Sequence, residues 1–170
     1  EYLSMLDWAI EQKEYPVAVR VPGGPVISDG KEVKNDWSDL NKYEVTKNGS
    51  KIAVIALGTF YQLGEKAAKA IEEKAGITPT VINPHFISGI DKETLENLKK
   101  NHDIVITLED GILDGGFGEK IARFYGSSSV KTLCFGLAKK FYDRYDVNEL
   151  MREAHLTPGQ IADDATALLK

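Results

Sequence analysis

Four apolar runs, "KIAVIAL" (51–57), "TPTVI" (78–82), "HDIVITL" (102–108) and "VKTLCF" (130–135), are spaced through the later part of this 170-residue chain. They are apolar at successive positions rather than at alternate ones. A strand of that kind must be covered on both faces, as in a parallel sheet flanked by helices. Stretches with helical spacing separate the runs near 60–75, 92–101 and 116–126, and two more follow at 147–155 and 158–169. The order predicts a three-layer α/β/α domain over residues 41–170 with a mostly parallel five-stranded sheet. "KYEVTKNGSKIAV" predicts a hairpin around Asn48-Gly49 that adds one antiparallel edge strand.

Helix starts support this reading independently. Asp146 with Glu149, Thr157 with Gln160 and Thr59 with Gln62 have capping-box spacing, and Asp91 is placed to cap the helix that follows it. Ile90 with Leu95, Tyr145 with Leu150 and Leu156 with Ile161 are placed as hydrophobic staples, and Pro158 falls at a first helical position. Residues 22–40 have no period, are rich in Gly, Pro, Asp and Asn, and read as a linker. Ahead of them lie a helical stretch, "EYLSMLDWAIEQK", and an expected strand, "PVAVRV". Two such elements cannot bury their own apolar faces. Residues 1–21 therefore read as the end of a truncated domain, and a chain that begins at Glu1 looks cut from something longer.

Composition narrows the function classes. Basic residues number 21 and acidic residues 26, and the net charge of −5 disfavours nucleic acid or an anionic membrane as a partner. The apolar runs are far shorter than the roughly 20 residues that span a bilayer, and no signal peptide precedes them. Cys134 is the single cysteine, so no internal disulfide forms, and it reads as a small buried hydrophobe of a cytoplasmic protein.

Candidate chemistry gathers in "LEDGILDGGFGEKI" (108–121). Its glycines, among them Gly115, Gly116 and Gly118, suit either a phosphate cradle at a helix start or a tight turn. The spacing lacks the third glycine of the dinucleotide fingerprint, and no Gly-Lys-Ser/Thr follows, so the turn is the simpler reading. Glu109 and Asp110 beside it can serve as acid or base, or can complement a helix dipole. His102 reads as the end of a helix, His155 as a residue between helices, and His85 as a polar residue after a strand, at the end where open α/β sheets place function. No metal spacing links the histidines to Cys134. Arg20 interrupts an apolar stretch and needs either a buried ion pair or an anion. No nucleophile elbow or Cys/His arrangement is present, so catalytic residues stay unassigned and the segment holds no self-sufficient active site.

Taken in order, "PVAVRVPGG", "NKYEVTKNGSKIAVIALGT", "VINPHFISGID", "HDIVITLEDGILDGGFGEKI" and "LCFGLAKKF" resemble the C-terminal region of the transketolase family, and within it most the 1-deoxy-D-xylulose-5-phosphate synthases. The beta subunits of 2-oxo-acid dehydrogenases share the acidic pair before Gly-Gly-x-Gly. The resemblance implies a cytoplasmic, homodimeric transferase. Its thiamine diphosphate and magnesium lie between two upstream domains, and none is expected in this segment. Residues 1–21 would end the pyrimidine-binding domain, and residues 41–170 would be the C-terminal domain, its glycine loop near a subunit contact. The implied reaction joins a two-carbon unit from pyruvate, after loss of carbon dioxide, to glyceraldehyde 3-phosphate, supplying isoprenoid and thiamine precursors. Arg20 would contact substrate. Here the family's second arginine after that strand is Gly23, its Glu-Glu is Glu109-Asp110, and its Gly-Leu-Pro is Gly136-Leu137-Ala138. A noncatalytic dimerisation or regulatory module, or part of a transketolase or dehydrogenase subunit, is the alternative.

Overall fold

Side chains alternate along β2 (Lys51–Ala56), so its run of five apolar residues has to be buried on two faces at once. Ile52, Val54 and Ala56 join one core and Ala53 and Ile55 the other, and none of the five has exposed surface. In this computed structural model, which describes residues 1–21, 23–24, 30 and 32–169, helices cover both faces. On one side α2 (Tyr61–Ala75) and α6 (Pro158–Ala167) supply Ala67, Ala68, Ile71, Ile161, Ala162 and Ala165. On the other, α3 (Lys92–Leu98) and α4 (Phe117–Tyr125) supply Leu95, Leu98, Phe117, Ile121 and Tyr125. Each fully buried Val, Leu or Ile contributes about 1.5–3 kcal/mol, which makes this double burial the main stabilising term.

The sheet has the order β1-β3-β2-β4-β5, with β1 at Glu44–Lys47, β3 at Thr80–Asn83, β4 at His102–Ile112 and β5 at Lys131–Leu137. β2 pairs in parallel with β3 and β4, β4 pairs in parallel with β5, and β1 is the antiparallel edge on β3. The expected three-layer α/β/α fold is thus present. From β2 the chain moves to β3 on one side through α2, then back past β2 to β4 and β5 through α3 and α4. Crossovers of one hand in opposite directions place their helices on opposite faces, as observed. Asp91, Asp146 and Thr157 accept the backbone N–H groups of Thr94, Glu149 and Gln160, capping α3, α5 (Val147–Glu153) and α6.

The expected hairpin is not formed. β1 and β2 run in opposite directions, but β3 lies between them, and Asn48-Gly49 arches across its start. The Ser50 N–H donates to Thr78 O at 3.0 Å and the Gly49 N–H to Thr80 Oγ1 at 3.0 Å. A Cβ on Gly49 would lie 2.1 Å from Thr78 O and 2.5 Å from the Pro79 carbonyl carbon. Glycine serves here through the room it leaves for a third strand, not as the tip of a hairpin.

Two helix boundaries also differ from expectation. Thr59 does not cap α2: it sits in a 3₁₀ turn, Gly58–Phe60, and its hydroxyl donates to Asp110 Oδ2 at 3.0 Å. His102 does not end a helix, because α3 stops at Leu98 and His102 begins β4 as a buried residue.

The chain divides into two units, Glu1–Leu40 and Asn41–Lys170. In the first, α1 (Tyr2–Glu11) ends at Gln12, whose side-chain oxygen accepts from the Glu14 and Tyr15 N–H groups at 3.0 and 3.3 Å. Trp37 Nε1 donates to Ser4 Oγ at 2.9 Å, and Lys34 Nζ stands 4.2 Å above the indole. The expected strand "PVAVRV" is absent. Residues 16–21 have no ladder, since a strand needs a neighbour's N–H and C=O groups and the described residues of this unit offer no second strand.

Because the atoms facing Gly49 are backbone, they cannot turn aside. Gly49→Ala is expected to lower stability by at least about 2 kcal/mol in urea unfolding. Gly159→Ala in α6, with nothing within 4 Å of the added carbon, is expected to be neutral or slightly stabilising.

Candidate functional site

The C-terminal ends of the parallel strands carry the residues singled out in the sequence. β4 continues through Glu109 and Asp110, and its pairing with β5 is irregular between Leu108 and Ile112. Within this bulge the two carboxylates part company, as alternation along a strand requires. Glu109 is buried, and its Oε2 and Oε1 accept the Phe117 and Gly118 N–H groups at 2.9 and 2.8 Å. Those are orphan donors of the first turn of α4, and the carboxylate also complements the helix dipole. Asp110 instead accepts from Thr59 in the turn that precedes α2. The adjacent acids therefore do not converge on one reacting group.

The glycines answer to this arrangement. Gly115 has φ +74° and makes the turn before α4. A Cβ on Gly116 would lie 2.5 Å from Glu109 Oε2, and one on Gly118 would lie 2.6 Å from Thr107 Oγ1 and 3.0 Å from Cys134 Sγ. Absence of side chains lets the carboxylate reach the helix and lets α4 approach β4 and β5. An anion cradle does exist here, and the chain's own Glu109 fills it.

The remaining candidates are dispersed. His85 follows β3 with φ +56°, and its Nε2 stands 3.2 Å from Glu44 Oε2 on β1. Its loop is held by Lys120 Nζ, which donates to Ile87 O at 2.6 Å, and by Ser88 Oγ, which donates to Asn41 Oδ1 at 3.0 Å. His155, also at φ +56°, places Nδ1 2.8 Å from Asp164 Oδ2 beside an open cleft of about 450 Å³ along β5. Burial pushes the Cys134 thiol above its ordinary value, which disfavours the thiolate a nucleophile needs. Arg20 belongs to the first unit, where it is exposed and outside any strand. Sequence reasoning did not find the Thr59–Asp110 contact, nor the bonds that His102 makes with Thr80 and Leu98, because residues far apart in the chain meet there.

The sequence profile of the transketolase C-terminal domain matches residues 41–161. The chain belongs to the transketolase family, as its C-terminal region. The 1-deoxy-D-xylulose-5-phosphate synthase of Shouchella clausii is 31% identical over 175 residues, covering 99% of this chain and 27% of that protein. The synthase of Clostridium botulinum strain Alaska E43 is 36% identical over 167 residues, covering 96% of this chain and 26% of that protein. The chain thus spans about a quarter of the length of the curated relatives it matches. Among solved structures, a split-gene transketolase in an inactive β4 tetramer superposes with a TM-score of 0.70 at 21% identity, over 86% of this chain and 46% of that one. A Pichia stipitis transketolase mutant with xylulose 5-phosphate gives a TM-score of 0.51 at 19% identity, over 74% of this chain and 17% of that one. These two likenesses concern the fold of the transketolase-type domain. Among its described residues, no helix is long and apolar enough to cross a membrane.

Glu109→Gln turns one acceptor into a donor against a backbone N–H. It is expected to cost about 1–3 kcal/mol in urea unfolding. Glu109→Ala empties the cradle, so sulfate should raise its melting temperature by more than it raises that of the wild type. Paired thermal melts in chloride and sulfate at equal ionic strength test this.

Proposed function

We propose that this chain is the C-terminal part of a thiamine-diphosphate-dependent transferase of the 1-deoxy-D-xylulose-5-phosphate synthase type, cytoplasmic and homodimeric in its full-length form. The carrying observation is the match to proteins of that name over almost the whole chain, including most of residues 1–40 ahead of the C-terminal domain. In this reading residues 1–21 close the pyrimidine-binding domain, residues 22–40 link it onward, and residues 41–170 form the C-terminal domain.

A diphosphate does not fit the start of α4, the anion cradle of this segment. The N-terminus of α4 is filled by Glu109, so a diphosphate would meet a carboxylate there. The upstream domains of the parent would hold thiamine diphosphate and magnesium, and the cofactor would supply the carbanion chemistry that releases carbon dioxide from pyruvate. This segment's own contribution is architectural: a sheet that sets the strand-end loops, with Arg20 offered to an anionic substrate and His85, Glu109, Asp110 and the Gly115–Gly118 turn at a contact with neighbouring domains or the second subunit. Gly23 stands where the resemblance expects a phosphate-holding arginine, so the resemblance alone does not assign a phosphorylated acceptor aldehyde.

The test is the parent protein, assayed for loss of carbon dioxide from pyruvate with glyceraldehyde 3-phosphate, thiamine diphosphate and magnesium. An upstream region lacking a thiamine-binding motif, or no turnover with any aldehyde, would favour the noncatalytic module. The 170-residue chain by itself is expected neither to turn over pyruvate nor to bind thiamine diphosphate in calorimetry. In the parent, Arg20→Ala is expected to raise the acceptor KM and lower kcat/KM by roughly 1.5–3 kcal/mol of lost charged hydrogen bonding, with the melting temperature little changed. Loss of several degrees in the melt with normal KM would instead identify Arg20 as an ion-pair partner. Gly23→Arg is expected to lower KM for phosphorylated acceptors. An unchanged or higher KM would mean that the natural acceptor carries no phosphate at that position.

A further inference from the structure

His102 starts β4 with 6% of its surface exposed, and both of its ring nitrogens are engaged. Nδ1 lies 3.1 Å from Leu98 O, the end of α3, and a carbonyl only accepts, so Nδ1 carries the proton. In the neutral ring Nε2 is then bare, and it accepts from the Thr80 hydroxyl at 2.8 Å. Thr80 Oγ1 in turn accepts the Gly49 N–H at 3.0 Å. With the ring neutral, Leu98 O and Nε2 accept, the Gly49 N–H donates, and the Thr80 hydroxyl does both. The relay joins the end of α3, the starts of β4 and β3, and the Asn48–Ser50 arch that separates β1 from β2.

We propose that His102 is an acid-operated latch on the Asn48–Ser50 arch: a proton taken up at Nε2 turns that nitrogen from acceptor to donor, deprives the Thr80 hydroxyl hydrogen of its acceptor and loosens the arch, and with it the end of β1. With Nε2 protonated, two hydrogens would lie between it and Thr80 Oγ1. The hydroxyl must swing off its acceptor while it remains 3% exposed, and the imidazolium stays enclosed. Opening the arch lets water reach both groups. The bonds from the Ser50 N–H to Thr78 O and from the Lys51 N–H to Asn101 O, at 3.0 and 2.8 Å, remain at the far end of the arch.

The charged groups on the surrounding elements do not replace that water. Asp103 on β4 favours the charged ring, but its carboxylate points outward, 64% exposed and 3.3 Å from Lys51 Nζ on β2. Lys99 at the end of α3 is paired with Glu96, and Lys100 beside it adds a like charge. Glu72 on α2 is bound to Lys47 and to Thr78. Burial pushes the ring below its ordinary value, against the opposing pull of the Leu98 carbonyl and Asp103. The closed form therefore binds protons less readily than the open one. Its advantage is complete above the ordinary imidazole range and is lost as pH falls through the depressed value.

Amide exchange and ring titration by NMR on the full chain test the latch. Between about pH 7.5 and about pH 5, protection at Gly49 and Ser50, corrected for intrinsic exchange, is expected to fall about tenfold or more, with the midpoint of the His102 ring, while Ile106 stays protected. His102→Gln, which keeps an acceptor for Thr80 and cannot titrate, is expected to abolish the fall. Constant protection at Gly49 in the wild type, or the same fall in His102→Gln, overturns the proposal. If that variant does not fold, the wild-type titration decides: a ring midpoint at or above about 6.5, or a Gly49 amide that does not follow it, overturns the latch.

Discussion

Burial of β2 and β4 on both faces is the constraint from which the rest follows. Ile52 to Ala56 and Ile104 to Leu108 are fully enclosed, so the sheet cannot lie against solvent or pack as half of a sandwich. Two apolar layers are needed, and the crossover directions assign them. The move from β2 out to β3 puts α2 on one face, and the return to β4 and β5 puts α3 and α4 on the other. α6 then completes the layer that α2 begins, and three side-chain caps fix where helices start.

This same topology governs the strand ends. Neighbouring acids on β4 are sent to different helices by simple alternation, Glu109 to α4 and Asp110 to the turn before α2. A carboxylate at a helix N-terminus removes the most accessible anion site in the loop by occupying it. A glycine-rich turn before a helix can thus mean that a phosphate is bound, or that an internal acid has taken its place. The side chain eight residues before Phe117 distinguishes them, and local spacing does not.

Much of the architecture was legible in the chain. Continuous apolar runs gave the parallel strands, and capping residues gave three of the helix starts. The failures share one cause. Asn48-Gly49 between two β-prone segments has the local chemistry of a hairpin, yet β3 inserts between them, and insertion of a strand that begins 31 residues after Gly49 leaves no mark on the turn itself. Thr59 has capping-box spacing but finds a stronger partner in Asp110, 51 residues away. "PVAVRV" has strand composition, but a ladder needs a neighbour, and residues 1–40 hold no second strand among those described.

By itself the sequence determined the layer architecture and the family, because periodicity, capping and motif order are local or serial properties. Tertiary structure alone decided which strand lies beside which, that Glu109 faces α4 while Asp110 does not, and that His102 is tied through Thr80 to Gly49. Each of these depends on where distant backbone groups come to rest. A hydrogen bond is written in no single segment of the chain: donor and acceptor become partners only when the folded sheet sets them within about 3 Å of each other.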